Sequence, residues 1–161
     1  MNKLLIDFYK NHRSNSSNIT FDEILSSDDD FWETSHDFIQ WIFPLNEPSQ
    51  YNPNAPLLDV EDIELFKKDF VLRKNVLLAF SRFKSFLQKE ESNTKPIWLD
   101  RKHNYLRITR VIRFLSLIGF GEQAAELFYY SIKCSEMFPS AGITKENIEY
   151  WFFALSGDLD G

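Results

Sequence analysis

Seven side chains in this sequence have types and spacings that could do chemistry. His36 and Gln40 stand four apart in the apolar stretch "HDFIQWIFPLNEP", with Trp41 beside them. His103, Arg107 and Arg110 recur at spacings of four and three in "HNYLRITRVIRF", and Trp98 precedes them. Imidazoles exchange protons near neutral pH, so His36 and His103 could act as acid and base, and with Asp37 they could hold a metal. Neither histidine sits in an H-E-x-x-H pattern, and no phosphate loop or G-x-S-x-G elbow supplies a nucleophile. The arginines carry more information. Their planar forks match carboxylates and phosphates, and a few convergent polar groups beside tryptophan walls make a ligand site. These features favour a non-catalytic binding site, without cofactor or metal, over an enzyme.

Convergence of those groups requires helices to carry them. At 100° per residue, Ile108, Val111, Ile112, Leu115 and Ile118 form one apolar face, with His103, Arg107, Arg110 and Phe114 along its edge and Arg113 pointing elsewhere. Gly119 marks the end of that helix, which should be the central and most buried one. A guanidinium bordering a buried face must pair with a carboxylate, for which Asp37, Glu47 and Glu61 are candidates, or hold a ligand, because an unpaired buried charge is costly. The same wheel drawn from His36 places His36, Gln40 and Phe43 on one line of a helix that Pro44 stops.

Three further helix starts share one grammar of capping residue, third-position partner and flanking apolar pair. They are Thr20 with Glu23, Asp59 with Asp62, and Thr144 with Asn147. Apolar residues at three and four spacing predict a helix over 70–87, led by Leu72, Val76, Ala79, Phe80, Phe83, Phe86 and Leu87. Ala124, Leu127, Phe128, Ser131 and Cys134 make another stripe over 122–138, and Ile148, Trp151, Phe152 and Leu155 the last. Prolines 44, 48, 53 and 56 predict a long irregular loop. The hydrophilic segment 88–96 divides two helical halves, and "SSDDD" at 26–30 reads as a solvated turn.

Composition bounds the rest. A chain of 161 residues with 43% hydrophobic and 16% aromatic content buries a sizeable core without disulfides. The net charge of -6 argues against general nucleic-acid binding, although Arg101, Lys102, Arg107, Arg110 and Arg113 leave a basic helix as the residual case for it. Cys134 is the only cysteine and serves as small apolar filler, consistent with a reducing compartment. No apolar run is long enough for a bilayer span and the N-terminus is too polar for a signal peptide, so a soluble, cytoplasmic protein is expected. The sequons at Asn15 and Asn18 are then chance matches.

Taken together, His36, Ile39, Gln40, Trp41, Phe43, Pro44, Leu45, Glu47 and Pro48, followed by His103, Asn104, Leu106, Arg107, Ile108, Thr109 and Arg110, resemble the conserved domain of the opioid growth factor receptor family. Its hallmark is H-x-x-I-Q-W-[LI]-F-P-L and then H-N-x-L-R-I-T-R-I. Residues 63–69, Trp98, Gly119 with Phe120, and "YWFFAL" from Tyr150 also look like the family. The resemblance implies a receptor for the pentapeptide Met-enkephalin, with animal members described as nuclear or membrane-associated and extending well beyond this domain.

The expectation is therefore all-α: one compact orthogonal bundle of six to eight helices with a Pro-rich loop. A single domain would run over 1–161, with its core at 8–155 and a tail at 156–161. A peptide, protein segment or anionic ligand would bind between the His36 and Arg107 helices, contacting His36, Gln40, Trp41, Trp98, His103, Arg107 and Arg110.

Overall fold

The structure is a computed structural model that describes residues 1–90 and 94–156. The middle of the expected hydrophilic loop, 91–93, and the expected tail beyond residue 156 lie outside the described residues. The all-α class holds: among the described residues there are nine α-helices, two 3-10 turns and no strand, only an isolated bridge between Glu90 and Pro96. They are α1 (Lys3–Tyr9), α2 (Phe21–Ser26), α3 (Asp29–Thr34), α4 (Ile39–Ile42), α5 (Val60–Lys68), α6 (Phe70–Leu87), α7 (His103–Leu117), α8 (Gly121–Met137) and α9 (Lys145–Leu155). The chain falls into two compact units, Met1–Phe86 and Leu87–Gly161, so the division comes at the end of α6, next to the segment expected to divide it.

Aromatic side chains hold the first unit. Tyr9 packs on Phe21 at 4.8 Å and on Phe66 at 4.9 Å between ring centroids, and Phe8 meets Trp41 at 5.2 Å. Trp32 and Phe38 stack edge to face at 4.8 Å, while Phe43 reaches Phe83 on α6 at 5.6 Å. Such contacts add roughly 0.5–1.5 kcal/mol each to the area they bury. Polar ends of the rings are anchored as well: Tyr9 Oη donates to Ile42 O at 2.8 Å, and Trp32 Nε1 to Ile24 O at 3.0 Å.

All three predicted caps form. Thr20 Oγ1 accepts from Glu23 N, and complete capping boxes join Asp59 to Asp62 and Thr144 to Asn147. Helix α6 occupies the predicted 70–87 span, and all seven of its named apolar residues are buried. Two readings need correction. "SSDDD" is a helix start: Asp28 caps α3 by accepting from Phe31 N at 2.8 Å, and Asp29 pairs with Arg82 at 2.9 Å, whose guanidinium lies over the Trp32 ring. In α9 Trp151 is buried and Ile148 and Leu155 are half-buried as the stripe requires, but Phe152 is exposed and Ala154 takes the inner position instead.

Asparagines do backbone work that composition alone does not announce. Asn11 has φ 66°, and the amides of Asn11 and His12 close back onto Phe8 O and Asp7 O, a left-handed helix stop in which asparagine is tolerated. Asn15 is buried, and its Oδ1 accepts from Ser17 N and Ile19 N, so this sequon's side chain is engaged within the loop.

Asp69 joins α5 to α6. Its carboxylate accepts from Leu72 N at 3.0 Å and lies 3.2 Å from Lys10 Nζ, and these contacts, the Leu72 N–H foremost, hold its pKa below the ordinary 3.8. A lowered folded-state pKa contributes stability above the ordinary value and loses it as pH falls through the lowered one. Asp69→Asn is therefore expected to lower the urea midpoint at neutral pH. It should also flatten the fall in stability below about pH 4. Parallel wild-type and variant curves across that range would contradict this role.

Candidate functional site

The first-unit half of the expected site is built differently from its wheel. Helix α4 covers only Ile39–Ile42, and Ser35–Phe38 form an irregular link from α3. His36 is exposed on that link, so the expected helical line through His36, Gln40 and Phe43 does not form. The cause is packing: Phe38 must turn back onto Trp32 and Phe31, which a helix running through from His36 would not allow. The far end stops as expected, since Phe43, preceding Pro44, leaves the helical region at φ -126° and ψ 69°.

Gln40 is 8% exposed, and its Oε1 accepts from Asn52 Nδ2 at 3.4 Å. Leu58 N donates to Leu45 O at 2.9 Å and closes the base of the Pro-rich loop, while Ser49 Oγ accepts from Tyr51 N and Asn52 N inside it. Gln40 thus tethers the long loop to α4. Trp41 is buried against Phe8. Asp37, Glu47 and Glu61 are all exposed on this unit.

The second-unit half follows its wheel closely. Ile108, Val111, Ile112, Leu115 and Ile118 are fully buried, and α7 packs against both α8 and α9. Gly119, at φ 84°, ends α7, with Phe120 N donating to Leu115 O at 2.8 Å. Along the edge, His103 and Arg110 are half-buried and Arg107 is 5% exposed. The structure thus brings His103, Arg107 and Arg110 together on one edge of α7. The basic set as a whole shares no exposed face, since Arg101 and Lys102 are exposed and Arg107 is buried.

Trp98 lies within an aromatic cluster of this unit. Its ring meets Tyr105 at 5.9 Å and Trp151 at 6.4 Å, and its Nε1 donates to Tyr130 Oη at 3.2 Å. Tyr105 Oη donates to Leu99 O, and Trp151 Nε1 donates to Tyr105 O at 3.1 Å. These bonds hold η-turn residues Ile97–Asp100 and helix α9 against α7.

Sequence reasoning missed two features of α7. Asn104 is buried, one residue from an edge that draws the eye to its charges. Arg113, expected to point away, has Nε and Nη1 buried with no hydrogen-bond partner among the described residues, and the same holds for Ser116 Oγ one turn on. A wheel places Asn104 within the apolar face, four residues before Ile108, where its polar type hides the signal, and it turns Arg113 away from that face because it carries no information about what covers it. Among the described residues, no three histidine, cysteine, aspartate or glutamate side chains gather as a metal site, and no helix is long and apolar enough to cross a membrane.

Residues 1–158 match the opioid growth factor receptor (OGFr) conserved region. The chain is 28% identical to the opioid growth factor receptor of Mus musculus over 93% of this chain and 26% of that protein. It is 32% identical to opioid growth factor receptor-like protein 1 of Rattus norvegicus over 70% of this chain and 28% of the relative. The same-named protein of Xenopus tropicalis is 32% identical over 85% and 30% respectively. The chain therefore spans less than a third of the length of these relatives. No solved structure matches it.

Burial raises the pKa of Tyr105 above its ordinary 10.0, and burial likewise pushes Tyr130 far above that value. A raised folded-state pKa contributes stability below the ordinary value that is lost as pH climbs toward the raised one. Absorbance near 295 nm should show both phenols ionising together with alkaline unfolding, above about pH 10. Tyr105→Phe should cost about 1 kcal/mol through the lost bond to Leu99. Smooth titration of every tyrosine in a still-folded chain would contradict the buried cluster.

Proposed function

Because this chain belongs to the opioid growth factor receptor family, we propose that it is a non-catalytic binding domain. It takes the carboxylate end of a short peptide or protein segment at Arg113 of α7. One observation carries this reading. Arg113 presents Nε and Nη1 as buried donors without an acceptor among the described residues, one turn from a buried Ser116 Oγ that likewise has none there. A buried guanidinium left in that state costs far more than one supplied with an anion, so an acceptor brought by a ligand stabilises it. Arg113 is only half-buried as a residue, so part of its side chain borders solvent. Arg110 and Arg107 recur at three-residue spacing toward the helix start and add positive potential along the same element.

Relatives named opioid growth factor receptor support a receptor-like role, and the pentapeptide Met-enkephalin that the family resemblance implies ends in a carboxylate of the kind Arg113 would take. Binding contacts of this type need no nucleophile, metal or cofactor. The lone, buried Cys134, with its thiol pKa raised by burial, fits work in a reducing interior such as the cytoplasm.

The test compares Met-enkephalin with its C-terminal amide by calorimetry on the whole chain, using wild type, Arg113→Met and Arg110→Ala. The acid form should bind at least tenfold more tightly than the amide. Arg113→Met should remove that preference, a loss of about 1.5–3 kcal/mol. The variant should be about as stable as wild type, because it deletes two buried donors that have no acceptor among the described residues. Equal affinity for acid and amide sinks the proposal, as does an Arg113→Met variant destabilised by several kcal/mol with binding unchanged.

A further inference from the structure

The second unit carries an exposed aromatic face that its own packing does not use. On α8 and α9, Tyr129 is 68% exposed, Phe152 60% and Phe153 50%, and the half-buried Phe128 joins them. Ring centroids run continuously through the four, with Tyr129 and Phe128 at 5.4 Å, Phe128 and Phe152 at 6.2 Å, and Phe152 and Phe153 at 5.9 Å. Scattered exposed apolar residues are ordinary on a protein surface, but a contiguous run of aromatic rings across two packed helices marks an interaction surface. Aromatic rings dominate the energetic centres of such surfaces.

Charge indicates what this face takes. The exposed charges of α8 and α9 are Glu122, Glu126, Glu136, Glu146 and Glu149 against Lys133 and Lys145, and Lys145 already lies 3.9 Å from Glu149. Exposed carboxylates thus outnumber ammonium groups five to two on the helices that carry the rings, and such a surface suits cationic side chains, because a guanidinium can stack on an aromatic face while its donors meet acids. A second copy of this chain does not fit, since two such faces opposed would bring like charges together.

We infer that the Phe128, Tyr129, Phe152 and Phe153 face of α8 and α9 docks a basic amphipathic helical segment of a partner protein, apolar anchors on the rings and arginines toward the glutamates. This site is separate from the arginine edge of α7 and does not depend on it.

The experiment titrates the whole chain into a fluorescent 18-residue amphipathic peptide of leucine and arginine, and into its counterpart with glutamate at every arginine. The basic peptide should bind, weaken as salt rises, and lose at least tenfold in affinity with Phe152→Ala or Glu149→Lys. Two controls separate this face from indiscriminate attraction. Asp30→Lys changes net charge as much as Glu149→Lys does but lies in the first unit, and Leu78→Ser removes an exposed apolar residue of α6; both should bind as wild type does. Equal binding of the acidic peptide, no loss with Phe152→Ala, or an equal loss in either control overturns the inference. So does sedimentation showing that wild type self-associates through this face and Phe152→Ala does not. Loss of enkephalin binding in Arg113→Met has no bearing on these outcomes.

Discussion

Helix α7 must be buried on most of its circumference while carrying arginine, and the second unit is arranged around that constraint. Eight of its fifteen residues are buried, and they include Asn104 and Arg107 as well as aliphatic ones. A purely apolar helix could be covered in many registers at similar cost. A helix with guanidinium groups at its margin admits few, because each misplacement strands a charge in a medium that does not solvate it. The covering helices are correspondingly well determined. Trp151 Nε1 reaches the Tyr105 carbonyl, Tyr105 reaches Leu99, and Trp98 reaches Tyr130, so neighbours of α7 are tied by directed bonds in addition to area.

The first unit solves a different problem by different means. Apart from α6 its helices are short, three of them with six residues or fewer, and such helices have little stability alone. Side-chain caps define the starts of α1, α2, α3 and α5, and rings from distant parts of the sequence lock together, as Tyr9 does with Phe21 and Phe66. The Pro-rich loop is ordered by the same economy. One backbone bond between Leu45 and Leu58 closes its base, Ser49 turns it, and Gln40 holds it to α4. A glutamine inside the most apolar stretch of the chain thus has a clear structural use.

Much of this was legible in the letters wherever a local rule applied. The caps at Thr20, Asp59 and Thr144, the span of α6, the buried face of α7 and its glycine stop all depend on neighbours within a turn or two, and each is where periodicity and capping chemistry place it. The errors share one cause. His36 lies off α4 because Phe38 is drawn onto Trp32, "DDD" starts a helix that Arg82 stabilises from more than fifty residues away, and Phe152 faces outward because Trp151 and Ala154 take the inner side of α9.

Sequence by itself determined the helical class, the family, and the arginine edge as the place where charge borders the core, since these follow from residue type, spacing and motif. Tertiary structure alone decided which of those groups are covered. Arg107 and Arg110 share an edge, yet one is buried and the other half-buried, and Arg113, expected only to point elsewhere, hides two of its donors. A wheel knows only angles around one axis, whereas burial depends on which other elements arrive at each angle, and that is set by contacts between residues far apart in the chain.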